Sequence, residues 1–143
     1  MAFKKLYVSE FEKVRPILTQ TKLVFPFYNT HSLAQKNMFY AIYKQDCWAI
    51  EIQKQVVFFS MKLSERQMKI TNILCSEPSQ ISWYAILQKI ECFARSYFTS
   101  TIHLTFSAQG PLFEWLLANN YQPDKQGLTK KLCYNTALVL LQS

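Results

Sequence analysis

Glycine is nearly missing from this chain, with two residues in 143, where about 7% is ordinary. Neither lies in "ILCSEPSQISWYAILQKI", Ile73 to Ile90, where an apolar strand runs through a short polar turn into a long helix. A strand, turn and helix in that order is a common place to hold a phosphate, because N–H groups converge at the helix N-terminus and glycines let the backbone come close. This turn is built without them.

Other shortages narrow the field. Charged residues make up 17% of the chain, below the ~25% typical of soluble proteins, so Gln, Ser, Thr, Asn and Tyr must cover much of the surface. Cys47, Cys75, Cys92 and Cys133 never approach C-x-x-C spacing, and His31 and His103 are the only histidines, so no metal site is expected. No apolar run reaches the ~18 residues needed to span a bilayer. The N-terminal "MAFKKLYVSEFEK" turns acidic after its lysines instead of entering a signal core. The expectation is a cytoplasmic protein without membrane contact, its cysteines free thiols in the core.

What the chain has is apolar bulk. Half of it is hydrophobic and 15% aromatic, enough for a core in one domain spanning 1–143. The net charge is +7, with eleven Lys or Arg against five acids up to Thr71 and five against four from Asn72 onward. An excess of that kind suits a polyanion such as RNA or a CoA-like cofactor. The basic residues form no run, however, which equally describes a solvated face.

"LYV", Leu6 to Val8, reads as a short strand, and Ser9 with Glu12 as a capping box opening a helix through Phe11, Val14 and Leu18. "TKLVFPFYNTHSLAQKN" reads as a loop with at most one short helix. "FYAIYK", "CWAIEIQ", "VVFFSMKL" and "MKITNILC" are rich in β-branched and aromatic residues and separated by short polar breaks, so an antiparallel meander is expected. Pro78 and the N-cap candidate Ser79 precede a helix in which Trp83, Ile86, Leu87, Ile90, Phe93, Ala94 and Tyr97 recur at helical spacing. "TIHLTFS" follows as a strand in parallel crossover. "PLFEWLLANN" is a helix that Asn120 can end in the left-handed region, and "LTKKLCYN" and "TALVLLQS" are closing strands. The expected fold is α/β (α+β), with a single mixed, mostly antiparallel sheet flanked by helices.

This order resembles the GNAT N-acetyltransferases over nearly the whole chain. "MKITNILCSEPSQISWYAILQKIECFAR" is similar to their cofactor-binding strand, loop and helix, and "FEWLLANNYQP" to their late helix ending in Gly-Phe. The family loop, Arg/Gln-x-x-Gly-x-Gly/Ala, falls here on Pro78, Ile81 and Trp83, so the usual pyrophosphate-loop glycines are absent. The resemblance implies acetyl-CoA or another acyl-CoA as cofactor, held by Ile73, Leu74 and Cys75 along the pantetheine and by Ser79, Gln80, Ile81, Ser82 and Trp83 at the loop. The family's tyrosine acid falls on Leu116, beside Trp115, and the Gly-Phe pair on Asn120 and Tyr121. Glu51, Asn72 and His103 are polar positions open to a base role, and Cys75 to a nucleophile.

Two functions follow. One is acyl transfer to a small-molecule or protein amine. The other is a catalytically silent module with a protein or RNA partner, and aminoacyl-tRNA-linked transfer is a variant that needs no pyrophosphate cradle. Exposed strand edges would permit a homodimer.

Overall fold

The computed structural model describes residues 3–25, 31–105, 110–125 and 127–133. The strands are β1 (Lys4–Lys5), β2 (Lys22–Phe25), β3 (Cys47–Ile52), β4 (Gln55–Ser64), β5 (Gln67–Cys75), β6 (Thr101–Leu104), β7 (Gln122–Asp124) and β8 (Gly127–Lys131). The α-helices are α1 (Phe11–Thr19), α2 (His31–Tyr43), α3 (Trp83–Ser96) and α4 (Gly110–Ala118). Among the described residues the strands join in one sheet, ordered β1-β3-β4-β5-β6-β8-β7, with β2 attached to β5. All pairs are antiparallel except β5 with β6. The mixed, mostly antiparallel sheet between helices is the expected architecture.

Each face of the sheet buries one cluster. Leu18 of α1 and Ala34, Met38, Ala41 and Ile42 of α2 pack on Phe58 and Leu74. Ile86, Leu87, Ile90 and Ala94 of α3, with Leu116 of α4, pack on Phe59, Ile73 and Cys75 of the other face. Burying a side chain the size of Ile90 contributes about 1.5–3 kcal/mol. The helical spacing of those α3 positions is why the helix lies where it does. Tyr97 leaves the apolar face and is exposed.

Several expected elements are different. Leu6 to Val8 is not a strand; β1 is Lys4–Lys5, and a 3-10 turn, Val8–Glu10, leads into α1. Ser9 lies inside that turn, so Glu10 takes the N-cap position and no capping box forms. The stretch read as a loop holds β2 and begins a helix of 13 residues. Phe39 to Tyr43 of "FYAIYK" belong to that helix and not to the meander. Its aromatics suggested a strand, but Ala34, Met38, Ala41 and Ile42 bury at helical spacing while Tyr40 and Tyr43 face solvent. Cys47 and Cys75 are buried free thiols as expected, whereas Cys92 and Cys133 are free but exposed. Strand β7 was not foreseen, and the strand expected from "TALVLLQS" lies outside the described residues.

Scarce glycine shows in the backbone. The β3–β4 turn places Gln53 and Lys54 at φ of 50° and 68°, and the β4–β5 turn places Glu65 and Arg66 at 46° and 66°. These are hairpin positions where Asn-Gly is favoured. Phe98 (φ 52°) and Asn120 (φ 71°) take the left-handed positions after α3 and α4. After α3, Thr99 N–H donates to Ala94 O at 3.0 Å and Phe98 N–H to Arg95 O at 3.0 Å. After α4, Tyr121 N–H donates to Leu116 O at 3.0 Å and Asn120 N–H to Leu117 O at 3.1 Å, ending the helix at Asn120 as the sequence indicated.

Candidate functional site

The site is built around a break in β5. Ser60 of β4 pairs with Asn72 and the next pair is Met61 with Ile70, so Thr71 is an extra residue on β5. A bulge of this kind bends its strand and increases its twist. The parallel pairing with β6 stops at the same point, its last register being Ile70 with Leu104. Thr105 closes the pair, its N–H and hydroxyl donating to Ile70 O at 3.0 and 3.2 Å. From Thr71 to Cys75, β5 therefore runs on past β6 toward the loop and α3.

Ile73, Leu74 and Cys75 have buried side chains, alternating between the two clusters. Their edge on the β6 side is not open. β4 holds one edge through Phe58 with Leu74 and Phe59 with Ile73. β2 holds the other, through Lys22 with Cys75, Leu23 with Leu74 and Phe25 with Ile73.

The loop is closed in the same manner. Ser79 and Gln80 sit in a 3-10 turn, Pro78–Gln80, and are exposed. Ser79 does not cap α3; Ser82 does, in extended backbone, its hydroxyl accepting from Ala85 N–H at 3.4 Å. Ile81 and Trp83 are half-buried and pack on the cluster beneath α3. Two N–H groups of the loop, those of Glu77 and Ser82, find partners on the β3–β4 hairpin. Gln53 Oε1 accepts from Ser82 N–H at 2.8 Å, while Gln55 accepts from Glu77 N–H and donates to Glu77 O, both at 2.9 Å. Gln53 thus does for α3 what a Glu or Gln at the third helical residue does in a capping box, a position held here by Ala85. Neither glutamine was a candidate from sequence, because nothing local shows a hairpin reaching a loop more than twenty residues away.

The remaining candidates do not gather at this point. Cys75 has its thiol pushed up to about 11, chiefly by burial, so it stays protonated near neutrality, the opposite of what a nucleophile needs. Leu116 is fully buried and Trp115 half-buried against the core. Tyr121 is buried, its hydroxyl 3.5 Å from Glu91 Oε1, the oxygen that also pairs with Lys130. Burial, then the Glu91 charge, then that hydrogen bond raise its pKa far above the phenol range. Glu51 is exposed on β3 and Asn72 buried at the bulge. His103 faces β8: with the Thr129 hydroxyl donating to Asp124 Oδ2 at 2.5 Å, His103 Nδ1 donates to Thr129 Oγ1 at 2.7 Å. Its Nε2 is buried without a partner among the described residues.

The larger cavity, about 500 Å³, lies away from the loop, against the later turns of α3 and Phe3. A smaller one of about 90 Å³ lies between α3 and α4 and is lined by Tyr84, Gln88, Glu91, Trp115 and Tyr121.

No family model and no curated protein matches the sequence. Among solved structures, the crystal structure of the PaiA N-acetyltransferase from Thermoplasma acidophilum in complex with coenzyme A matches with a TM-score of 0.55 at 10% identity, over 91% of this chain and 98% of that one. The fold is that of the GNAT acyltransferases.

Proposed function

We propose that the protein is a divergent N-acyltransferase of the GNAT type, moving an acyl group, most simply acetyl from acetyl-CoA, to an amine. The observation that carries this reading is the parting of β5 and β6 at the Thr71 bulge, just ahead of the loop that leads into α3, in a GNAT-type fold. Pantetheine amides would pair along Ile73 to Cys75, and the N-terminus of α3, with Ser79, Gln80, Ile81, Ser82 and Trp83 around it, would face the pyrophosphate. The acceptor amine attacks the thioester carbonyl directly, a C–N bond forming as the C–S bond breaks. The leaving thiolate takes its proton from solvent and the amine loses one to it. Orientation of the two reactants supplies the rate, since no acid is aimed at the sulfur among the described residues.

A second reading, a catalytically silent module that binds a partner, is favoured by a specific observation. The N–H groups of Ser82 and Glu77 already have partners in Gln53 and Gln55, and Glu77 adds a carboxylate to the loop. Calorimetric titration with acetyl-CoA and with CoA separates the two. Micromolar binding, lost on Ser82→Glu, supports the enzyme. Absence of heat at millimolar ligand retires the CoA mechanism and leaves the module.

A further inference from the structure

β2 is the strand that stands off the order of the sheet, and its position is informative. β4 occupies one edge of Ile73 and Leu74, so β2 lies on the opposite edge, the side that β6 leaves after Ile70. This is the edge on which the acyl-CoA reading places the pantetheine. Each backbone N–H and C=O on that edge points at one neighbour, so β2 and a pantetheine arm cannot both pair there.

We infer that β2 is a displaceable strap that fills the pantetheine edge in the resting chain, and that acyl-CoA binds when β2 leaves; the inference rests on the acyl-CoA reading above. β2 is four residues long, with an irregularity between Leu23 and Phe25. Val24 is its buried side chain, Leu23 is half-buried and Lys22 exposed. The chain just before it is held firmly: Gln35 Nε2 donates to Leu18 O at 3.2 Å, Thr19 O at 3.0 Å and Thr21 O at 3.3 Å, and Thr21 Oγ1 donates to Leu18 O at 2.6 Å. Those bonds tie the end of α1 to α2, so the hinge falls between Thr21 and Lys22. Swinging the strap out takes Val24 from one core cluster and Leu23 from the margin of the other. The bound state must overcome the closed one, and the observed affinity falls in proportion to the fraction of molecules that are open.

Lys22 and Cys75 are register partners, so Lys22→Cys lets a disulfide form with the native Cys75 and locks the strap. Cys92 and Cys133, the exposed thiols, are changed to Ser in the same protein to prevent other pairings. The oxidised protein is expected to lose acetyl-CoA binding at least tenfold, and reductant to restore it. Val24→Ala, which weakens only the closed strap, is expected to tighten binding about tenfold. In the wild-type protein, acetyl-CoA is expected to strip hydrogen-exchange protection from Leu23 to Phe25 while Ile73 to Cys75 stay protected. Equal binding to the oxidised and reduced forms, with β2 protection unchanged, overturns the strap and leaves the acyl-CoA reading standing. Absence of binding to wild type and to Val24→Ala alike, at millimolar acetyl-CoA, overturns both.

Discussion

Gln53 offers a test of how the α3 terminus is closed. Its Oε1 lies 2.8 Å from Ser82 N, a separation for a sound hydrogen bond, at a terminus whose own serine cap is long at 3.4 Å. Gln53→Ala removes that acceptor from a partly solvated site and should cost about 0.5–1.5 kcal/mol. Gln53→Glu keeps the geometry and places a negative charge at the positive end of the helix, a gain of about 0.3–1 kcal/mol at low ionic strength. Salt screens an exposed charge, so the gain should shrink between about 0.02 M and 0.5 M. The pH dependence has a definite sign. The helix terminus holds the new carboxyl below its unfolded pKa of about 4.3, so the gain is present above that value and is lost as pH falls through the folded pKa. Urea unfolding of the three proteins at two salt concentrations measures all of this. Binding gives an independent readout: acetyl-CoA should bind Gln53→Ala more tightly than wild type and Gln53→Glu more weakly, since the carboxylate fills the position a phosphate would take. Equal stability of Gln53→Ala and wild type, with Gln53→Glu insensitive to salt, would refute the argument.

Phe98→Gly should stabilise the protein by about 1 kcal/mol, because the exposed phenylalanine holds a left-handed backbone that glycine adopts without strain; thermal melting should show a rise of roughly 2–6 °C, and a fall would mean that its ring packs usefully. Burial holds Cys75 near 11 and Cys47 near 12, so their contribution to stability is whole below the unfolded pKa of about 8.5 and drains away as pH climbs toward the folded values. Urea midpoints from pH 7 to pH 10 should therefore decline less in the Cys47→Ala, Cys75→Ala double variant. Iodoacetamide on the native protein should label Cys92 and Cys133 and spare the two buried thiols, as peptide mass mapping would show. Glu91→Gln leaves the half-buried Lys130 without its carboxylate and should destabilise by about 1–3 kcal/mol, whereas Tyr121→Phe, which loses only a 3.5 Å bond, should change stability by less than about 1 kcal/mol.

The parts legible in the sequence were those whose signal is local and periodic. Ile86, Leu87, Ile90 and Ala94 announced α3, and the run "CWAIEIQ" between short polar breaks announced β3. The meander and the parallel crossover followed from their order. Asn120 was readable as a helix end because asparagine tolerates the conformation it adopts. What misled was composition without period. Phe39, Tyr40 and Tyr43 carry strand propensity, but tertiary burial of Ala34, Met38 and Ala41 decides for helix. Ser79 looked like the cap because it follows a proline, yet the 3-10 turn delays the helix until Ser82. β2 was hidden for a different reason: these four residues become a strand because β6 stops pairing with β5 at the bulge and leaves an edge for them to fill, and no local pattern reports that.

The scarcity of glycine in this loop and the contacts that close it are two sides of one constraint. A loop whose backbone approaches a phosphate can leave its N–H groups for the ligand to satisfy. Here Ile81 and Trp83 bring large side chains to the loop, and its polar backbone is satisfied from within the chain. The β3–β4 hairpin does this at Glu77 and Ser82, and β2 does it at Ile73 to Cys75. Under the proposed acyl-CoA reading, each substitute is a neutral or backbone group standing where the cofactor would supply a phosphate or an amide. Those substitutes differ in what it takes to remove them. A glutamine side chain swings away by rotating about its own bonds, whereas β2 must give up strand pairing together with the burial of Val24. Under the proposed acyl-CoA reading the strand and not the loop therefore sets the affinity, so changes at Val24 should move acetyl-CoA binding further than changes at Gln53.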